Sequence, residues 1–124
     1  MDTSGKTIAF INVAHGLDHL MMLVFPTAVL AMGPALGIPY DRLLGLSLGG
    51  FVAFGVGSMP AGWLGDRWNR RHMLALFFLG VGAAAIIAGL ARTSMEIAVG
   101  LTVIGVFASI YHPVGTALLV THAK

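Results

Sequence analysis

His15, Asp18 and His19 stand together in the middle of an otherwise apolar run, in a chain where only 10% of the residues carry charge. At about 100° per residue, Asn12, His15, Asp18, His19 and Met22 fall within one face of a helix. A carboxylate one turn from an imidazole is within hydrogen-bonding reach, and imidazole is the side chain that exchanges a proton near physiological pH. Three readings are open: a proton site, a neutral His-Asp pair that holds helices together, and a metal site of His15, Asp18 and His19, whose i, i+4 histidines have ligand spacing. A second stripe, Thr102, Gly105, Ser109, His112 and Thr116, steps by three and four along one helical face. Pro113 follows His112, and a proline inside a helix frees the carbonyl four residues earlier, here that of Ser109. Ser109 and His112 would then line a polar cavity, unless the segment is a plain proline kink with an incidental histidine. Pro26, Pro34 and Pro60 read more simply as kinks or helix ends.

The elements that carry these residues must be membrane spans. The 124 residues are 57% apolar and include 17 glycines, with a mean hydropathy of +0.90. Soluble domains carry roughly 25% charged residues, and a chain this short leaves roughly a third of its surface in contact with solvent. The solvent is therefore expected to be mostly a lipid bilayer. Four segments are long enough to cross one, at about 8–36, 43–64, 73–91 and 95–120, with no soluble domain. The first is too long for a signal-peptide core of about 7–15 residues and reads as a retained helix. Lys6, Arg67, Arg70, Arg71 and Lys124 fall on one side, Arg42 and Arg92 on the other, so both termini are expected in the cytoplasm.

Some function classes drop out. The absence of cysteine excludes disulfides, thiolate zinc sites, iron-sulfur clusters and a cysteine nucleophile. A net charge of +2 with no long basic run gives nucleic-acid binding no support, and nothing calls for a cofactor. In the second segment Gly45, Gly49, Ala53, Gly57, Ala61 and Gly65 recur at every fourth position, a ridge that lets helix backbones approach closely or slide. Gly80, Ala84 and Ala88 form a shorter ridge on the third.

Between the second and third segments the chain reads Gly62-Trp63-Leu64-Gly65-Asp66-Arg67-Trp68-Asn69-Arg70-Arg71. The glycines suit tight helix approach, and Asp66 with Arg67, Arg70 and Arg71 suggests a charge network made in one conformation and broken in another. A plain positive-inside loop would explain the arginines, but not the placed glycines and Asp66. The segment resembles the G-x-x-x-D-R-x-G-R-R signature of the major facilitator superfamily. Asn69 stands where that family usually has glycine, and asparagine tolerates the left-handed conformation better than most residues.

Within that superfamily, His15-Gly16-Leu17-Asp18-His19 and Ser109-Ile110-Tyr111-His112-Pro113-Val114-Gly115 resemble the fosmidomycin-resistance-type branch of bacterial efflux proteins. The resemblance implies an all-α membrane protein of twelve helices, in two six-helix halves each built from 3+3 inverted repeats. It implies a multi-pass, proton-coupled exporter of small molecules in the inner membrane, of which these four helices are the N-terminal fragment, awaiting further helices of the same polypeptide. Helix four lacks the membrane arginine of many such exporters, so a proton relay here would be histidine-based. Two rivals are a complete four-helix small-multidrug-type efflux subunit working as a dimer, and a membrane-embedded metal-dependent enzyme using His15, Asp18, His19 and His112. The second has no Ser, Cys or Glu close enough in sequence to act as nucleophile or base.

Overall fold

The computed structural model describes residues 3–122, which are helical with short connections and contain no strand. Lys124, which enters the charge asymmetry, lies outside the described residues. Four stretches are long and apolar enough to cross a membrane: Ser4–Leu36, Tyr40–Arg67, Arg70–Gly89 and Ser94–His122.

The first span is one helix, α1 (Thr3–Leu36), which passes through the His-Asp-His cluster without a break. At 1.5 Å per residue its 34 residues extend about 51 Å, well beyond the roughly 30 Å of hydrocarbon. It ends at Gly37, whose φ of 65° is the left-handed conformation that glycine adopts without a Cβ penalty.

The second and fourth spans are each two helices rather than the single ones expected. The second comprises α2 (Tyr40–Gly45) and α3 (Leu48–Arg67). At the joint Leu46 and Ser47 donate to carbonyls only three residues back, and the Ser47 hydroxyl bonds to the Leu44 carbonyl, a local alternative to the helix ladder. The third span is α4 (Arg70–Gly89), capped by the Asn69 side chain. The fourth comprises α5 (Ser94–Ala108), capped by Thr93, and α6 (Tyr111–His122), separated by a turn at Ser109 and Ile110. Pro113 thus occupies the first turn of α6, where its missing N–H has no helical acceptor to lose. The expected mid-helix kink is instead a full break placed just before the proline.

Small residues hold the spans together. α5 lies against both α3 and α4, while α6 lies against α1 and also touches α3 and α4. The α3–α5 crossing is close enough that a Cβ on Gly105 would come within 2.0 Å of the Gly50 carbonyl oxygen. Farther along, Gly57 faces Ser109, Gly62 faces Pro113 and Gly65 faces Val114, so the ridge of the second span docks on the fourth. Gly45 does not belong to that ridge: it lies in α2, beyond the joint, and nothing stands within 4 Å of where its Cβ would be. The shorter ridge meets α5, with Gly80 against Phe107 and Ala88 against Gly100. Large apolar side chains such as Leu79, Ile86 and Ile87 point outward, the arrangement expected when the surroundings are lipid.

Candidate functional site

The buried stripe of α1 runs Ile11, Ala14, Asp18, so the carboxylate occupies a core position at helical spacing. Asp18 is fully buried, whereas His15 and His19, on the adjacent stripe, are exposed. This small rotation about the helix axis separates the trio. His15 Nε2 lies 2.9 Å from His19 Nε2, and neither Asp18 oxygen has a hydrogen-bond partner among the described residues. The expected His15–Asp18 hydrogen bond is therefore not formed.

The partner of Asp18 comes from the other end of the sequence. Nε2 of His112 sits 3.4 Å from Oδ2 of Asp18, across the α1–α6 contact. Because the chain breaks at Ser109–Ile110, α6 starts afresh at Tyr111 and presents Tyr111 and His112 together to α1. The Tyr111 hydroxyl donates to the Ile11 carbonyl at 2.6 Å, and its ring stacks on His15 with centroids 5.5 Å apart. The His112 ring stands edge-on to His15 at 5.3 Å, to His19 at 5.4 Å and to Phe54 of α3 at 5.6 Å. His15, His19 and His112 each have a ring nitrogen within 4.8 Å of the others, so these three, rather than His15, Asp18 and His19, have metal-ligand geometry.

Tyr111 and Phe54 were not among the residues singled out by type and spacing. Tyr111 adjoins His112 in the sequence, which was a usable signal, but Phe54 is an ordinary apolar residue in a glycine-rich helix and gave none. Ser109, by contrast, is not brought to the cluster. It is buried, its hydroxyl bonds back to the Val106 carbonyl at 2.6 Å, and it faces Gly57. Thr102 likewise bonds to its own helix, at Ala98. Hydroxyls in an apolar segment satisfy themselves locally when no water is at hand.

The Gly62–Arg71 segment lies at one end of the bundle. Gly65 lies against Val114, and Gly62 against Pro113, which confirms the tight approach at this end. Asp66, Arg70 and Arg71 line one cleft at this end. Arg70 Nη2 pairs with Asp66 Oδ1 at 3.3 Å, the Arg67 guanidinium stacks 4.2 Å above the Trp63 ring, and Arg71 lines a cleft with Lys6 and His122. Asn69 is extended, with φ −103° and ψ 119°, not left-handed. Its side chain accepts from the main-chain N–H groups of Arg71 and His72, so asparagine stands here as a helix cap.

The profile of the Major Facilitator Superfamily matches residues 8–124, nearly the whole chain. No curated protein and no solved structure matches significantly. With its all-helical four-span architecture and a matched region reaching from α1 through α6, the chain belongs to the major facilitator superfamily of membrane transporters and contains part of one six-helix half of that fold.

Proposed function

We propose that the chain lines the solute pathway of a proton-coupled exporter of small molecules, an antiporter of the fosmidomycin-resistance-type branch. On this reading it lies in the bacterial inner membrane, with the end carrying Lys6, Arg67, Arg70 and Arg71 in the cytoplasm. The observation that carries the reading is the contact of the buried Asp18 carboxylate with His112 across two helices. An acidic residue near the middle of a span costs about 2.5–3.5 kcal/mol on insertion scales, and such residues mark ion and substrate paths. A buried carboxyl group accepting no hydrogen bond is stabilised by taking up a proton or a neighbouring cation, and in a proton-coupled antiporter the proton it takes up is exchanged for the solute. The break before α6 supports the same reading, because discontinuous helices build the midplane sites of many secondary transporters.

His15, Asp18, His19 and His112 are assigned to the cavity, and Ser109, which bonds to its own helix and faces Gly57, is left outside it. The exposed faces of His15 and His19 are covered in the working transporter by further helices of the same fold. Gly62, Gly65, Asp66, Arg67, Arg70 and Arg71 are assigned to gating, since they lie at one end of the bundle away from the cavity. The dimeric four-helix alternative draws no support from the family match.

The test is fosmidomycin efflux from membrane vesicles under an imposed pH gradient. Efflux by the full-length transporter is expected to follow the gradient and to be lost in its Asp18→Asn variant, while gradient-independent exchange survives. Retention of parental gradient-driven efflux in both Asp18→Asn and His112→Ala would refute the assignment.

A further inference from the structure

The three imidazoles offer more than a proton path. We propose that His15, His19 and His112 bind a late first-row transition-metal dication, of the zinc, cobalt or nickel class, at the mouth of the cavity. Imidazole nitrogens suit these borderline ions rather than magnesium or calcium, which prefer oxygen ligands. Around a tetrahedral ion with metal–nitrogen bonds of about 2.0–2.1 Å, ligand nitrogens lie roughly 3.4 Å apart. The His15 and His19 nitrogens are 2.9 Å apart in an N–H···N hydrogen bond, whose proton must leave for both to ligate through those atoms, and all three groups offer nitrogens within 4.8 Å of one another.

Two further features fit an ion rather than chance proximity. The Asp18 carboxylate, fully buried and without a hydrogen bond to either oxygen, lies 3.4 Å from His112. It supplies the negative charge that a dication in a low-dielectric setting needs, and it orients one of the ligands, as carboxylates beside metal-bound histidines commonly do. Tyr111 fixes the other side by stacking on His15 while its hydroxyl is held by Ile11. Three protein ligands, two of them the exposed His15 and His19, leave a fourth position for water or solute, the pattern of an exchanging site rather than a closed structural one. Asp18 acts here as a positioning and charge-balancing residue.

This inference deepens the transporter reading by naming a ligand for the same cavity, yet its test requires no transport. The purified chain, in detergent at one fixed neutral pH and carrying no polyhistidine tag, is titrated calorimetrically with zinc chloride. Cobalt chloride is added separately to read the ligand geometry from visible absorption. One saturable zinc site per chain is expected, undisturbed by excess magnesium chloride, with a tetrahedral cobalt spectrum. His15→Ala, His19→Ala and His112→Ala should each weaken zinc binding by at least about 10- to 100-fold, and Asp18→Asn by about 10-fold with an altered cobalt spectrum. His15 and His19 are exposed but touch Tyr111 and His112, so the unfolding midpoint of each variant is measured alongside, and His72→Ala, also exposed, serves as the control. No saturable zinc binding, or binding unchanged in the three histidine variants, or an equal loss in His72→Ala, overturns the metal site. None of those results bears on proton-coupled efflux, and a failure of efflux leaves a measured metal site standing.

Discussion

The hydroxyl of Tyr111 donates to the main-chain carbonyl of Ile11 at 2.6 Å, joining the first turn of α6 to α1 across a sequence separation of 100 residues. The bond lies one turn from His15 along α1 and one residue from His112 along α6. It therefore sets how closely the two histidine-bearing faces meet. Phe77 of α4 closes over the same ring at a centroid distance of 5.4 Å, so the tyrosine is clamped from a third helix.

Tyr111→Phe keeps the ring and its stacking but removes the donor. Interhelical hydrogen bonds in membranes average about 0.6 kcal/mol and reach about 1.7, so a loss in that range is expected. Unfolding in mixed micelles of mild and denaturing detergent measures it. An unchanged midpoint would mean that the stacked ring, and not the hydroxyl, holds α6 to α1.

Gly105 and Gly50 make the closest backbone approach in the α3–α5 crossing. A Cβ at Gly105 would lie 2.0 Å from the Gly50 carbonyl oxygen and 2.8 Å from its Cα, and backbone cannot move aside as a side chain can. Gly105→Ala is expected to cost at least the roughly 1–3 kcal/mol of ordinary overpacking. Gly82→Ala, where nothing stands within 4 Å, should be neutral or slightly stabilising. Thermal unfolding in detergent compares the two, and equal effects would refute the close-packed crossing.

The described structure brings the beginning of α1, the beginning of α4 and the end of α6 to one end of the bundle, where Lys6, Arg71 and His122 share a cleft. With the arginines of the Gly62–Arg71 segment at that end, it is the end expected to face the cytoplasm. The chain has no cysteine, so single cysteines report cleanly. Trp68→Cys should resist an impermeant thiol reagent on intact cells and Arg92→Cys should react. The reverse pattern would invert the topology.

The Asp66–Arg70 pair is an exposed i, i+4 contact at 3.3 Å. Such pairs contribute about 0.3–0.5 kcal/mol, too little to explain their placement by stability. Asp66→Asn should leave the unfolding midpoint unchanged and solute affinity intact while slowing the transport cycle. A collapse of affinity at normal cycling rates would place Asp66 in the binding site instead of the gate.

Much of the fold is legible in the sequence because lipid imposes coarse rules. Long apolar runs must become helices, charges collect in the connections, and glycines at every fourth position mark a docking face. The breaks at Leu46–Ser47 and Ser109–Ile110 are harder to read, since Ser47 and Pro113 are compatible with either a kink or a restart. The candidate site was half visible. Residue types and helical spacing identified His15, Asp18, His19 and His112. About the helix axis, at about 100° per residue, His15 stands roughly 60° and His19 roughly 100° from Asp18, and that difference decides that Asp18 points inward to His112 while the other two histidines are exposed. That choice depends on which neighbour packs where, which no local pattern contains. The three arginines show the same limit from the opposite side: Arg70 and Arg71 share a cleft with Asp66, while Arg67 stacks on the Trp63 ring, a partner that charge spacing alone does not indicate.

Asp18 also allows a structural role to be separated from a functional one by the sign of a stability change. If the carboxylate served mainly to hold α1 to α6, replacing it would weaken the bundle. Its two oxygens accept no hydrogen bond among the described residues, however, and His112, 3.4 Å away, is a side chain still partly exposed. An unsatisfied buried polar group costs about 1–3 kcal/mol, and more when charged. Asp18→Asn keeps the shape and removes the charge, so the variant is expected to unfold at a higher temperature than the parent in detergent at neutral pH, by the equivalent of about 1 kcal/mol or more. A residue kept at a cost to stability is one retained for its chemistry. A lower unfolding temperature in Asp18→Asn would show that the contact with His112 contributes more than the burial costs, and the carboxylate would then be a structural tie between the first and last helices.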